Sequence, residues 1–446
     1  MKQRIASGLL GLGLLLELGA TTWWKDDANV YLNPILWLVG GLLVAIGGFH
    51  LLRVRTTGDT RPNGKIQPQA QNRSSPPPLP PPSPPFAPYP LLLFLALVAY
   101  SAYRMAGIFA DFEPGPLASD IYPSLQFYVQ RLLSGETVYA PMEFPGWTVL
   151  PTYFPMMWLP YVPAEVLHFD YRWCAFGAFV IVWGIYVWRL RKGTLSLPGR
   201  LLLTAFPFLV LLSYFTCERQ AFGFAVELMP TAFYLLLCLT IWHRKPWVMA
   251  LGIIPCLLSR YGFTFWLPLY FVIIWIERGF PTVLRTGLVV ALGVLLLYVL
   301  PFLSKDWSIL TDGLAYYQKT AVGQWYPQGW QTDGEPPAHL YRGLSLAPYF
   351  YDDVALTVED RLARNQKWHL AASAFAALLL FAGYLYGRRR TWPVRAYLLC
   401  GLKFYLIIFY SFLYVPFAYL YMLPLLLSMA ILYELGGMDL RGRAFG

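Results

Sequence analysis

The sequence predicts an all-α polytopic membrane protein: a bundle of about 12 transmembrane helices with two large outer loops carrying short surface helices. Three observations predict it. Of 446 residues, 57% are hydrophobic and 13% charged, against roughly 25% charged in an ordinary soluble domain. The apolar residues gather into runs near the ~20 residues needed to cross a hydrocarbon core. Aromatic side chains make up 17% of the chain, with 17 Trp and 31 Tyr, the residues that collect at membrane–water interfaces. The net charge of +10, from 34 Lys+Arg against 24 Asp+Glu, reads as a cytoplasmic-loop bias, so no nucleic-acid partner is expected.

In chain order the apolar runs are 4–22, 31–52, 90–109, 172–188, 200–217, 222–242, 247–258, 262–276, 284–303, 369–387, 395–413 and 416–434. The pair 247–258 and 262–276 is short, either one broken helix or two tilted ones, and sets the range of ten to thirteen spans. Residues 1–20, with Lys2 and Arg4 before an apolar stretch, have the look of a signal peptide, but a second run follows at once and an uncleaved first span is expected. Placing the N-terminus inside puts Arg53–Arg73, Arg189–Arg200, His243–Lys245, Glu277–Arg285 and Arg388–Arg390 on the cytoplasmic side. The outer side then receives loops 110–171 and 304–368, in which acids outnumber bases. That arrangement requires 149–168 not to cross. Pro151, Pro155, Pro160 and Pro163 agree, because each removes a backbone donor, and they predict a re-entrant or surface-lying segment.

The tract 72–90 is proline-rich and extended, a linker by composition. The chain therefore divides into an N-terminal transmembrane hairpin (1–52), appended through a cytoplasmic linker (53–89) to a main body (90–434), followed by a cytoplasmic tail (435–446). The five cysteines lie in or beside apolar runs with no CxxC spacing, which supports neither a disulfide framework nor a zinc site.

The segment 109–163 carries the most chemical information. Ser119 can cap a helix, Ile121, Leu125, Tyr128, Val129 and Leu132 recur on one helical face, and Gly135 stops it. The pattern predicts an amphipathic helix lying on the membrane with Asp120 in its first turn. A carboxylate there either complements the helix dipole or accepts a proton from a hydroxyl substrate as a general base.

Ser119-Asp120-Ile121-Tyr122, then Leu133-Ser134-Gly135-Glu136-Thr137-Val138-Tyr139, then Pro151-Thr152-Tyr153-Phe154-Pro155 with Leu159-Pro160, together resemble the first outer loop of GT-C fold glycosyltransferases, in particular the polyprenol-phosphate-mannose-dependent family 87. Cys217-Glu218-Arg219-Gln220 resembles a short outer turn of the same enzymes, departing from it at Gln220-Ala221. The likeness extends as topology and composition over 90–434. It implies a GT-C-like bundle in which Asp120 is the catalytic base. It also implies a polyprenyl-phosphate sugar as donor, mannose-like or arabinose-like, and a cell-envelope glycan or glycolipid as acceptor. The expected setting is the outer face of a bacterial inner membrane, with no cofactor beyond the lipid-linked donor.

A lipid-phosphate leaving group needs a cation. Arg219 and Arg260, each in a short outer turn between apolar runs, are the candidates, with His339 as a possible helper; structural pairing or snorkelling is the alternative for the arginines. Acceptor or sugar contacts are expected at Asp111, Glu113, Tyr122, Glu218 and Arg342. Asp111 and Glu113, two acids without a third ligand, predict no metal. Trp307, Tyr316, Tyr317, Trp325, Tyr326, Trp330 and Tyr341 make the second outer loop either an acceptor lid or an aromatic belt. Glu227 and Lys403, both within apolar runs, are expected to pair with each other. No GxxxxGK[ST] or Rossmann glycine pattern is present. The competing reading is a polytopic transporter or lipid flippase, whose marks would be repeated halves and midplane ionisable residues.

Overall fold

A computed structural model describes residues 2–23, 30–58, 88–115, 119–190, 195–327, 331, 335–341, 343–390 and 392–437. Most of the proline-rich linker and the end of the C-terminal tail lie outside these residues. Among the described residues nine helices are long and apolar enough to cross a membrane. The chain is thus a multi-pass α-helical membrane protein, the architecture in which backbone groups are satisfied within each segment rather than by lipid.

The principal helices are α1 (Lys2–Leu18), α2 (Leu32–Gly58), α3 (Tyr89–Asp111), the short α4 (Ile121–Ser134), α5 (Tyr171–Leu190) and α6 (Leu197–Cys217). There follow α7 (Leu228–Thr240), α8 (Pro246–Leu257), α9 (Trp266–Arg278) and α10 (Phe280–Val294), which continues as a π-helix to Leu303. The last are α11 (Ser308–Gln324), α12 (Val358–Arg388), α13 (Val394–Ser411) and α14 (Met422–Gly437). Helices α7, α8 and α9 fall on the three apolar runs 222–242, 247–258 and 262–276 but have only 13, 12 and 13 residues, ~20 Å of helix at 1.5 Å per residue.

Two long connections, 112–170 and 304–357, emerge on one side, called here the loop side. Between 149 and 168 the chain forms only one-turn helices, Pro155–Trp158, Leu159–Tyr161 and Val162–Val166, each with proline in its first turn, so no long helix forms there. A two-stranded antiparallel hairpin precedes it, β1 (Met142–Phe144) with β2 (Trp147–Val149).

The centre of the bundle is α7, α13 and α14: α7 packs on α5, α8 and α14, and α13 packs on α2, α12 and α14. Helices α1 and α2 pack tightly because Gly13 and Gly40 let the two backbones meet; a Cβ on either would strike the facing helix. The hairpin is bound into the body by a buried ion pair. Lys403 of α13 donates to Glu17 of α1 and to the Pro424 carbonyl (2.6 Å), and Ser428 also donates to Glu17. This corrects the expected Glu227–Lys403 pair: α13 turns Lys403 toward α1, and Glu227 has a different partner.

Candidate functional site

The loop-side site is assembled on a clamp built around Arg172, in the first turn of α5. Its guanidinium is buried, bound to Asp170 and donating to the carbonyls of Phe112 (2.8 Å), Gly223 (2.9 Å) and Phe109 (3.2 Å). It lies over the Phe109 ring at 4.3 Å. One side chain thereby joins the end of α3, the start of α5 and the turn after α6. Gly223 packs directly against Phe112, where a Cβ would not fit. On the exterior of this clamp Arg219 pairs with Asp111, both substantially exposed, and lies over Phe112. The Arg219–Asp111 pair brings together one candidate phosphate ligand and one candidate acceptor ligand.

Helix α4 begins where Ser119 Oγ accepts from the Ile121 amide (3.3 Å) and donates to the Phe224 carbonyl (3.3 Å). It ends at Gly135, whose φ of 74° is the left-handed conformation glycine permits, with its amide on the Arg131 and Leu132 carbonyls. Both ends are as the sequence predicts. The apolar face is not: Leu125, Tyr128 and Val129 are completely buried in protein. Tyr128 stacks on Trp158 (5.5 Å between centroids), and its hydroxyl accepts from the Tyr153 amide (3.2 Å). The expected seat of this face on the membrane is therefore replaced by a protein seat, residues 139–158 covering it. Tyr122 is also buried. Its hydroxyl accepts from the Tyr171 amide (3.2 Å), and burial, foremost, pushes that hydroxyl up to about 12. Its contacts belong to the clamp.

Asp120 sits at the N-cap position of α4 without its side chain capping the helix, Ser119 having taken that role. The residue is exposed, and partial desolvation by the surrounding protein holds its carboxyl above the ordinary carboxylate range. Among the described residues it enters no ion pair with a cationic side chain. Tyr153, Tyr316 and Tyr419 lie within electrostatic reach of it.

Arg260, in the turn after α8, pairs with Glu227 just before α7; the carboxylate is 2% exposed and the guanidinium 23%. One Glu227 oxygen and the Arg260 Nε have no hydrogen-bond partner. Behind Glu227 is a small cavity lined by Met105, Phe109, Arg172 and Phe222. Tyr153 and Tyr419 lie within electrostatic reach of Asp120, Glu227 and Arg260 together, and Tyr317 and Tyr410 within electrostatic reach of Arg260. The fold thus gathers Asp120, Tyr153, Glu227, Arg260, Tyr317, Tyr410 and Tyr419 from widely separated parts of the chain.

Backbone contacts hold these parts in place. The Met156 amide donates to the Leu258 carbonyl (3.0 Å), fixing the Tyr153 segment to the Arg260 turn. Helix α11 lies across residues 148–152, with Tyr316 donating to the Thr148 carbonyl (3.3 Å) and Gly313 against the Pro151 carbonyl. Trp325 donates to the Tyr414 carbonyl (2.8 Å), and Gly343 lets the chain approach Pro416 more closely than any side chain would allow.

The remaining candidates are dispersed. Glu113 stands exposed two residues past α3, and Glu218 ends α6 within reach of Tyr214. His339 belongs to the short helix Ala338–Tyr341, but its side chain, like all of Arg342, lies outside the described residues. No three His, Cys, Asp or Glu side chains are grouped to hold a metal among the described residues. Sequence reasoning missed Arg172 and the tyrosines 317, 410 and 419 as a group. The Asp170-x-Arg172 pair at the head of an apolar run was the available signal for the clamp.

These features define a multi-pass membrane protein with a charged, tyrosine-rich cluster on its loop side. No protein-family model, no curated protein and no solved structure matches the chain.

Proposed function

We propose that the protein is an inverting membrane glycosyltransferase with a GT-C-like body of about 12 spans. It moves a mannose-like or arabinose-like sugar from a polyprenyl-phosphate donor to a cell-envelope glycan or glycolipid. The N-terminus lies in the cytoplasm of a bacterial cell and the loop side faces outward from the inner membrane. The observation that carries this reading is Asp120: a carboxylate reachable by solvent, raised by its surroundings, not used as a cap or in an ion pair, and sharing its tyrosine neighbours with the half-buried Arg260.

In this reaction the acceptor hydroxyl gives its proton to Asp120 while its oxygen attacks the anomeric carbon. The bond from that carbon to the phosphate oxygen breaks with inversion, and both electrons leave with polyprenyl phosphate. Arg260 meets the developing charge, sharing its guanidinium between Glu227 and the phosphate. The tyrosine hydroxyls of 153, 317, 410 and 419 supply neutral donors around the sugar and phosphate. Arg219, engaged by Asp111 at the surface, guides the anionic headgroup toward the site. The donor's own glycosyl-phosphate bond supplies the driving force, so no cofactor takes part.

The test is transfer of label from polyprenyl-phosphate sugars to envelope acceptors by purified protein in lipid nanodiscs. Transfer abolished by Asp120→Asn supports the reading. Absence of transfer from every donor, together with substrate-dependent flux in liposomes, would replace it with a transporter or flippase.

A further inference from the structure

The first half of helix α11 has an apolar face that the protein does not cover, while farther along the same face Ala321 and Trp325 are buried in protein. Trp307, immediately before it, and Leu310 and Leu314 within it are 61%, 42% and 54% exposed. At 3.6 residues per turn these three share one sector of about 60°. The adjoining sector is polar and exposed: Thr311, Asp312, Gln318 and Lys319. The third sector, Ile309, Gly313, Tyr316 and Tyr317, is turned to the protein. A helix in water needs two sectors, one covered and one polar. Three are needed by a helix that meets protein, water and hydrocarbon at once.

The apolar sector continues a surface already suited to lipid. The preceding span, Phe280–Leu303, carries exposed Leu292, Leu296 and Leu300, spaced by four along one face. A short turn then separates the span from α11, with the Ser304 amide on the Val299 carbonyl (2.7 Å) and Asp306 accepting from the Ser308 amide (2.9 Å). Trp307 follows four residues after the span ends, the depth at which tryptophan is favoured in a bilayer.

We infer that α11 is seated in the loop-side surface of the bilayer, with Trp307, Leu310 and Leu314 among the lipids at the boundary of headgroups and chains. The partner is the membrane itself. This seat has a consequence for the site. Tyr317, one turn beyond Leu314, borders the lipid-facing sector, packs near Tyr414 (6.0 Å between centroids) and lies within electrostatic reach of Arg260. Lipid contact on one side of α11 therefore sets where Tyr316 and Tyr317 stand over residues 148–153. This consequence, though not the seat itself, rests on the proposed transferase reading.

Nitroxide labels at single cysteines test the seat. Leu310→Cys, Leu314→Cys, Asp312→Cys and Lys319→Cys are made in the full chain with all five native cysteines, Cys174, Cys217, Cys238, Cys256 and Cys400, replaced by Ser or Ala, and reconstituted in phosphatidylethanolamine–phosphatidylglycerol nanodiscs. Collision with dissolved oxygen, which prefers the bilayer, is compared with collision with a polar nickel chelate. Labels at 310 and 314 will show an oxygen-to-nickel ratio several-fold above those at 312 and 319. Equal nickel access at all four positions would overturn the proposal by placing the helix in water. Loss of both collisions at 310 and 314 would overturn it by showing a protein cover. The ratio needs no turnover, so absence of transferase activity would remove the functional reading and leave the seat standing. Where transfer is present, Leu310→Asp with Leu314→Asp will lower it severalfold at unchanged thermal stability; unaltered transfer would sever the seat from the site.

Discussion

Glu227 gives one carboxylate oxygen to the Arg260 guanidinium and leaves the other without a hydrogen-bond partner. A buried pair in this state is electrically compensated but incompletely bonded, and an unmet buried acceptor costs about 1–3 kcal/mol. Such a site gains when a ligand or water completes it. The proposed phosphate would complete the other half of the pair, accepting from the Arg260 Nε, which has no hydrogen-bond partner either.

The two arginine candidates should therefore separate cleanly. Arg260→Gln will raise the donor KM and lower kcat by at least tenfold, because a buried charge-assisted contact is worth roughly 1.5–3 kcal/mol. Arg219→Gln, which breaks an exposed pair with Asp111, will cost under about 1 kcal/mol and lose effect in high salt. Steady-state kinetics on the lipid-linked donor measure both.

The raised Asp120 carboxyl predicts the pH dependence. As a base it works only when ionised, so kcat/KM will rise with pH through a value above the ordinary 3.8 and then level off. The same shift acts oppositely on stability. Between the unfolded value and the raised folded value the native state holds more proton, so this group's contribution falls as pH rises through that window. A pH–rate profile that stays level down to about pH 4 and falls only below it, as an unshifted carboxylate would make it, would contradict the placement.

Lys403 and Glu17 are both 0% exposed, and they tie the N-terminal hairpin to the body. Removing one partner strands a buried charge, so Lys403→Met alone will destabilise by about 3–5 kcal/mol. Lys403→Met with Glu17→Leu will recover most of that loss. Thermal unfolding in detergent of the two single variants and the double variant reads the coupling directly.

Arg172→Met leaves the carbonyls of Phe109, Phe112 and Gly223 without their donor and Asp170 without its cation. On the order of 3 kcal/mol of stability should go, by the cost of stranded buried acceptors. Arg172→Lys will rescue it only in part, since an ammonium cannot reproduce the planar fork. Thermal unfolding of the two variants, side by side, is the check.

The spans were legible because hydrocarbon imposes a length and a composition; each of the nine long helices falls on a run visible in the sequence. The prolines between 151 and 163 correctly excluded a long helix, and Gly135 correctly ended α4. The burial of Leu125, Tyr128 and Val129 was misread because an apolar face does not say whether lipid or protein will cover it. Helix α11 shows the converse, its exposed Leu310 and Leu314 being diluted in sequence by Asp312, Lys319 and glutamines. Ion-pair partners were the least legible feature. Glu227 meets Arg260 and Lys403 meets Glu17 because of how helices rotate and pack, and a sequence of alternating spans does not record rotation. Asp120 and Arg260 were each singled out by local pattern; that they share Tyr153 and Tyr419 is a property of the fold alone.

The central claim is that Asp120 accepts the proton of an acceptor hydroxyl. Single-turnover transfer from radiolabelled polyprenyl-phosphate sugar, comparing wild type with Asp120→Asn at matched donor binding, tests it most directly. The account predicts that the variant binds donor normally and transfers at least about 100-fold more slowly, the scale of general-base catalysis. Transfer by Asp120→Asn at the wild-type rate would contradict it.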